Sequence, residues 1–133
     1  IIIKTKKPVP SFVAKKPQFE VLTIGIKKKS NELKILIRKR LLKRLKIGMV
    51  VEVKKLKKSG LSWSRLEEFG LEYKYVAQYI QGKIAKKEMV EKLTKEIEHY
   101  AKRQMTWFKR DKRIFWIDNY QKAKNLLKNF LKE

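Results

Sequence analysis

The chain has 133 residues, enough for one domain or a large piece of one, and 43% of them are apolar, so its composition supports a packed core. Lys and Arg total 36 against 13 acids, a formal net charge of +23, which favours polyanionic partners because basic side chains release counterions from a nucleic-acid backbone. Cysteine is absent and His99 is the sole histidine, which excludes disulfides, thiolate or His-rich metal sites and any Cys–His nucleophile pair, while no apolar run approaches the ~20 residues that span a bilayer.

The chain opens Ile1-Ile2-Ile3 without a Met, which reads as a fragment or a processed chain, and Lys4 stops that apolar run short of a signal peptide. Residues 4–18 are basic and contain Pro8, Pro10 and Pro17. Proline removes a backbone donor and restricts its predecessor, so residues 1–18 read as a basic, Pro-containing loop ahead of a folded unit over 19–133. Phe19 to Ile26 is short, β-branched and apolar almost throughout, the pattern of a strand buried on both faces in a parallel sheet. Ser30 is placed to cap a helix from Asn31 to about Ile47, with Leu33, Leu36, Ile37, Leu41 and Leu45 at helical spacings. Gly48 breaks it, and Met49 to Lys58 continues as a second helix with Val50, Val53 and Leu56 on one side, ended by Gly60.

Ser64-Arg65-Leu66-Glu67 fits a capping box and predicts a short helix closing near Gly70. Glu72 to Gln81 is a further helix, closed by Gly82. The longest helix is predicted from Lys86 to about Arg110, where Met89, Val90, Leu93, Ile97, Tyr100, Ala101 and Phe108 follow the three/four spacing. Asp111-Lys112 makes a turn, Arg113 to Ile117 a second buried strand, and Asp118 or Asn119 caps a final amphipathic helix through Leu131. The expectation is a mainly α chain with two short strands. Two strands make a poor sheet by themselves, so both are expected to need neighbours that the chain does not provide.

The charge is uneven. Residues 1–58 carry 19 basic and 3 acidic residues, and residues 59–133 carry 17 and 10. Only seven of the 36 basic residues are Arg, and a lysine-rich solvated surface can also reflect compositional bias. The most informative motif lies in the less charged half. Lys102-Arg103-Gln104-Met105-Thr106-Trp107-Phe108-Lys109-Arg110 closes the longest helix. Arg103, Trp107 and Arg110 stack at i, i+4, i+7, and Lys102, Thr106 and Lys109 form a neighbouring stripe. Cations neutralise phosphates, Gln and Thr hydrogen-bond sugars or base edges, and a Trp stacks on an unpaired base, a mixture suited to single-stranded loop RNA. The same spacing also accommodates Trp107, and more readily Phe108, as core residues.

The stretch Tyr100-Ala101-Lys102-Arg103-Gln104-Met105-Thr106-Trp107-Phe108-Lys109-Arg110-Asp111 resembles the Y-A-K-R-Q-x-T-W-F-R-R-D signature of the tRNA dimethylallyltransferase (tRNA isopentenyltransferase) family. Arg113 to Asp118 resembles the strand that follows it there. Gly60 to Leu66, Gly70 to Lys74, Tyr79 to Ile84 and Gly48 to Val53 are similar to further family stretches, in the same order over roughly residues 19–118. The resemblance implies the C-terminal part of a P-loop-type α/β fold whose remaining sheet lies elsewhere. It also implies a transferase that moves dimethylallyl from its diphosphate to N6 of an adenosine beside the tRNA anticodon. By the same resemblance, Tyr73, Lys74, Lys102, Arg103, Gln104, Thr106, Trp107 and Lys109 are tRNA-contact candidates.

Three positions depart from the family pattern. Lys109 replaces the more usual Arg, which keeps the charge and loses the bidentate fork. Glu72 stands where many members have Gly, which bears on close backbone approach to RNA. Leu42 stands where the family often has Asp beside Arg40, so an ordered charge pair is expected to be lost. The family's phosphate loop, G-x-x-x-x-G-K-[ST], does not occur here, nor does a counterpart of its Asp base, so no catalytic residue is assigned. Mg2+ and dimethylallyl diphosphate are expected at that phosphate-binding half, the tRNA anticodon stem-loop is the expected partner, and a cytoplasmic monomer is expected for the full-length protein. Two readings compete with the transferase: a free-standing, non-catalytic RNA-binding module or gene remnant, and a Lys-rich helical interaction domain unrelated to RNA.

Overall fold

The structure, a computed structural model, describes residues 19–131, so the expected loop over 1–18 lies outside the described residues. The element order is β1 (Thr23–Ile26), α1 (Ser30–Ile47), α2 (Met49–Lys58), α3 (Trp63–Glu68), α4 (Leu71–Ile80), α5 (Lys86–Phe108), β2 (Ile114–Ile117) and α6 (Tyr120–Leu131). The chain is thus mainly α with two short strands, as its patterning predicts. β1 and β2 pair in parallel, Thr23 opposite Ile114 through Ile26 opposite Ile117. Five helices form the crossover that a parallel pair requires.

Two apolar clusters hold the helices. Met49, Val53, Leu66, Val76, Ala77 and Met89 form one, joining α2, α3, α4 and α5. Ile37, Leu41, Leu93 and Ile97 form the other, fastening α1 to α5, with Leu71 and Tyr75 of α4 and Ala101 of α5 packed against it. Leu36 is not part of this seam and stays exposed. Thr94 is buried among these apolar residues, and its hydroxyl donates to the Val90 carbonyl at 2.7 Å. The bend between α1 and α2 falls on Gly48 at φ 123°, a conformation that glycine adopts without the Cβ penalty.

The starts of two helices differ from expectation. Ser62, not Ser64, caps α3: its hydroxyl accepts from the Arg65 amide at 3.1 Å, while Ser64 lies inside the first turn. Ser30 is likewise already helical, with Lys29 in the cap position and no side-chain cap. At the last helix Asn119 is the capping residue, accepting from the Lys122 amide at 2.9 Å.

The strands are also less buried than their sequences suggest. Of β1 and β2 only Ile117 is buried, whereas Ile26 is 68% and Phe115 53% exposed. An apolar strand is buried only where neighbours cover it, and among the described residues each strand has one paired edge. On one face of the sheet Ile114 and Trp116 share a hollow with Ala101, Met105 and Phe108 of α5. On the other, Phe115 meets Leu126 and Phe130 of α6. Gly25 sits opposite Trp116 because a Cβ there would come within 2.7 Å of the Trp116 ring and of Ile114.

Candidate nucleic-acid interface

The C-terminal half of α5 leaves the core at Ile97 and carries the signature segment to Phe108, with Lys109 as its cap and Arg110 in the following turn. Arg110 therefore falls off the helical stripe on which its spacing placed it. Lys102, Arg103, Gln104, Thr106, Trp107 and Lys109 are all exposed. Trp107 is 66% and Phe108 42% exposed, and the two rings meet edge to face at 5.3 Å. Within this chain neither ring is buried, although Phe108 lines the hollow over the sheet, and the Trp107 face is open either to a stacking partner or to the portion of the fold beyond this chain.

The helix divides its polar residues between faces. Lys102, Thr106 and Lys109 line a cleft of about 620 Å³ between α5 and the start of α1. Gln104 turns instead towards the sheet, into the hollow shared with Met105 and Phe108. Arg103 and Trp107 line neither space; the Arg103 guanidinium lies 5.9 Å from the Tyr100 ring. The Thr106 hydroxyl donates back to the Lys102 carbonyl at 3.1 Å, so its remaining capacity is as an acceptor.

Across the cleft stand Lys27, Lys28 and Lys34, none of them singled out by the sequence reading. The available signal was the Lys27-Lys28-Lys29 run directly after a strand and before a helix start, but only packing shows that it faces Lys102 and Lys109. Lys28 is paired to Glu32 at 2.7 Å and Lys34 lies 3.8 Å from Glu98. Among the described residues, by contrast, no carboxylate lies within ion-pair distance of Lys74, Lys102, Arg103, Lys109 or Arg110. These five cations are available to an external anion, whereas Arg113 and Lys122 are held by Asp111 and Asp118.

Tyr73 and Lys74 lie in the first turn of α4, after Gly70 at φ 136°. Lys74 is exposed; Tyr73 is half-buried, and its hydroxyl donates to the Glu52 carboxylate of α2. That bond, reinforced by burial, raises the Tyr73 pKa above its ordinary value. Arg65 lies over the Phe69 ring at 5.4 Å, and Phe69 meets Tyr73 edge to face. Leu71 packs against the same cluster as Ala101, so one seam supports both candidate segments. Arg40 finds a carboxylate on another helix, with Glu72 at 3.7 Å.

Among the described residues no three His, Asp or Glu side chains group as metal ligands. The two aspartates are engaged with Arg113 and Lys122, so a Mg2+ implied by resemblance has no fitting ligand set here, and no step is drawn through it. No helix among the described residues is long and apolar enough to cross a membrane.

The helical crossover between two parallel strands, with a lysine-lined cleft beside them, makes this chain a portion of an α/β protein. A model of the IPP transferase family matches residues 1–111, and the chain belongs to that family. It is 46% identical over 122 residues to tRNA dimethylallyltransferase 1 of Syntrophus aciditrophicus, covering 87% of this chain and 40% of that protein. It is 50% identical over 98 residues to tRNA dimethylallyltransferase 2 of Treponema denticola, covering 73% and 33%. Among solved structures it resembles a tRNA delta(2)-isopentenylpyrophosphate transferase from Staphylococcus epidermidis, with TM-score 0.76 and 28% identity, covering 87% of this chain and 40% of that one. The full-length tRNA isopentenylpyrophosphate transferase from Bacillus halodurans gives TM-score 0.73 and 26% identity, covering 84% and 38%. The chain thus spans about 40% or less of the length of these relatives.

Proposed function

We propose that the protein acts as a tRNA prenyltransferase, with this chain gripping the anticodon stem-loop. The reaction joins N6 of an anticodon-adjacent adenosine to the dimethylallyl C1, breaks the C1–O bond to diphosphate and releases the N6 proton and the diphosphate. The observation that carries this reading is the exposed end of α5, where free cations flank an exposed Trp inside the family-matched segment. Lys102 and Lys109 take phosphates, Thr106 and Gln104 hydrogen-bond the RNA, and Trp107 stacks on an unpaired base, with Arg103 beside it. Tyr73 and Lys74 extend the surface onto α4. Dimethylallyl diphosphate and Mg2+ belong to the family's phosphate-binding part, and residues 19–133 work as a unit with it. The setting is the cytoplasm and the intact protein is a monomer.

The test is to incubate the intact protein with labelled dimethylallyl diphosphate, Mg2+ and unmodified tRNA. Label at N6 of the adenosine next to the anticodon is expected. Stem-loop binding without any transfer would instead support a non-catalytic RNA-binding module.

A further inference from the structure

Two consecutive residues at the start of α4 reach two different helices. The Glu72 carboxylate accepts from Arg44 Nη1 at 2.9 Å and lies 3.7 Å from Arg40 Nη2, one turn earlier on α1. Tyr73 donates to Glu52 on α2. The two anchors straddle the Gly48 bend, so α4 is fastened to both arms of it. The Glu72 side chain is only 20% exposed, against 41% for Arg44 and 65% for Arg40, so the acid is the sheltered member of the cluster. An ordinary first-turn Glu favours its own helix N-terminus from solvent; this one is committed sideways. Gly70, at φ 136°, gives α4 no side-chain cap, so its first turn is held by Leu71 packing on the α1–α5 seam, by Tyr73 and by Glu72.

We infer that Glu72 is a positioning residue: by clamping Arg44 and Arg40 it fixes the first turn of α4, and with it Lys74, for contact with RNA. This role rests on the RNA-binding reading above. Glu72 itself repels phosphate, so it contributes through Lys74 and not by touching the ligand. The opposite role would be masking, in which Glu72 withholds two arginines from the RNA. The two roles predict opposite signs.

The experiment uses the intact protein and an anticodon stem-loop. Glu72→Gln should weaken binding several-fold without changing the salt slope, because no phosphate contact is deleted, whereas Lys74→Ala should lower that slope. Arg44→Gln should weaken binding similarly, and the double variant should be no weaker than either single one. The reversed pair, Arg44→Glu with Glu72→Arg, should recover much of the loss. Amide exchange in the first turn of α4, measured without RNA, should quicken in Glu72→Gln and slow again in the reversed pair. Tighter binding by Glu72→Gln would overturn positioning in favour of masking. Unchanged exchange in that variant would overturn it whatever the RNA does. A wild-type protein that binds no stem-loop removes the RNA reading itself, and this role with it.

Discussion

Removing Lys102 and Lys109 together tests the interface most directly. Both project into the cleft beside α1, both are exposed, and among the described residues neither has a carboxylate partner to be stranded by its loss. Each phosphate contact contributes about 0.9 to the slope of log K against log salt on duplex and about 0.7 on single strands. Lys102→Ala/Lys109→Ala should therefore flatten the slope by about 1.4 to 1.8. At physiological ionic strength that corresponds to roughly 10- to 30-fold weaker binding. Fluorescence anisotropy of a labelled stem-loop, titrated at several salt concentrations, measures both quantities. Lys92→Ala is the control, since Lys92 is spent on Glu88 at 2.7 Å and lies below the signature segment. The reasoning is refuted if the double variant keeps the wild-type slope, or if Lys92→Ala flattens it as much.

Trp107→Ala should cost about 1–3 kcal/mol of stem-loop binding with the salt slope intact. Its effect on thermal stability should stay within about 0.5 kcal/mol, because the ring is 66% exposed; a large stability loss would mean it is a packing residue. Gly25→Ala drives a methyl to 2.7 Å from Ile114 and Trp116 and should destabilise the intact protein by about 1–3 kcal/mol in denaturant titrations, less when Trp116 is already Ala. Ser62→Ala should cost about 1 kcal/mol and Ser64→Ala distinctly less; the reverse order would restore the Ser64 capping box. Three hydrogen bonds from Arg113 hold the Asp111 carboxyl at about 2 against an ordinary 3.8. A lowered folded value means the stabilisation is complete above the ordinary value and is lost as pH falls through about 2. Asp111→Asn should therefore flatten the pH dependence of stability between about pH 4 and 2, and equal slopes would contradict the pairing.

Helix boundaries were legible wherever glycine marked them. Gly48, Gly60, Gly70 and Gly82 all carry positive φ, and each stands at a predicted break. Capping serines were less legible, because Ser62 and Ser64 offer the same hydroxyl and only the entry backbone of Ser62, at φ −71° and ψ 155°, decides between them. Burial of the strands is a different case, because the cover their sequences call for is expected from neighbours that this chain does not provide. An apolar sequence records a preference for cover, whereas exposure at Ile26 and Phe115 depends on which neighbours are present. The candidate site was legible as a segment and not as a surface. The resemblance pointed to Lys102 through Lys109, but the facing Lys27, Lys28 and Lys34 come from a stretch some 70 residues earlier and are brought there only by the α1–α5 seam.

That seam also sets the angle at which α5 presents its residues. Spacing alone puts Lys102 and Arg103 about 100° apart on any helix, without saying which of them faces a neighbour. Ile97 is buried against α1, and Ala101 and Met105 line both the cleft and the hollow over the sheet, so the arc between those two spaces is turned inward. Lys102, Thr106 and Lys109 then fall at one rim of that arc, Gln104 at the other, and Arg103 with Trp107 on the side pointing away. A straight duplex laid along α5 meets only one of these faces. An RNA that satisfies the lysine stripe and also stacks on Trp107 has to curl around the helix end, which a loop with splayed bases does and a rigid A-form helix does not. If RNA binds as proposed, the division of this segment between three faces favours a looped partner over a straight duplex.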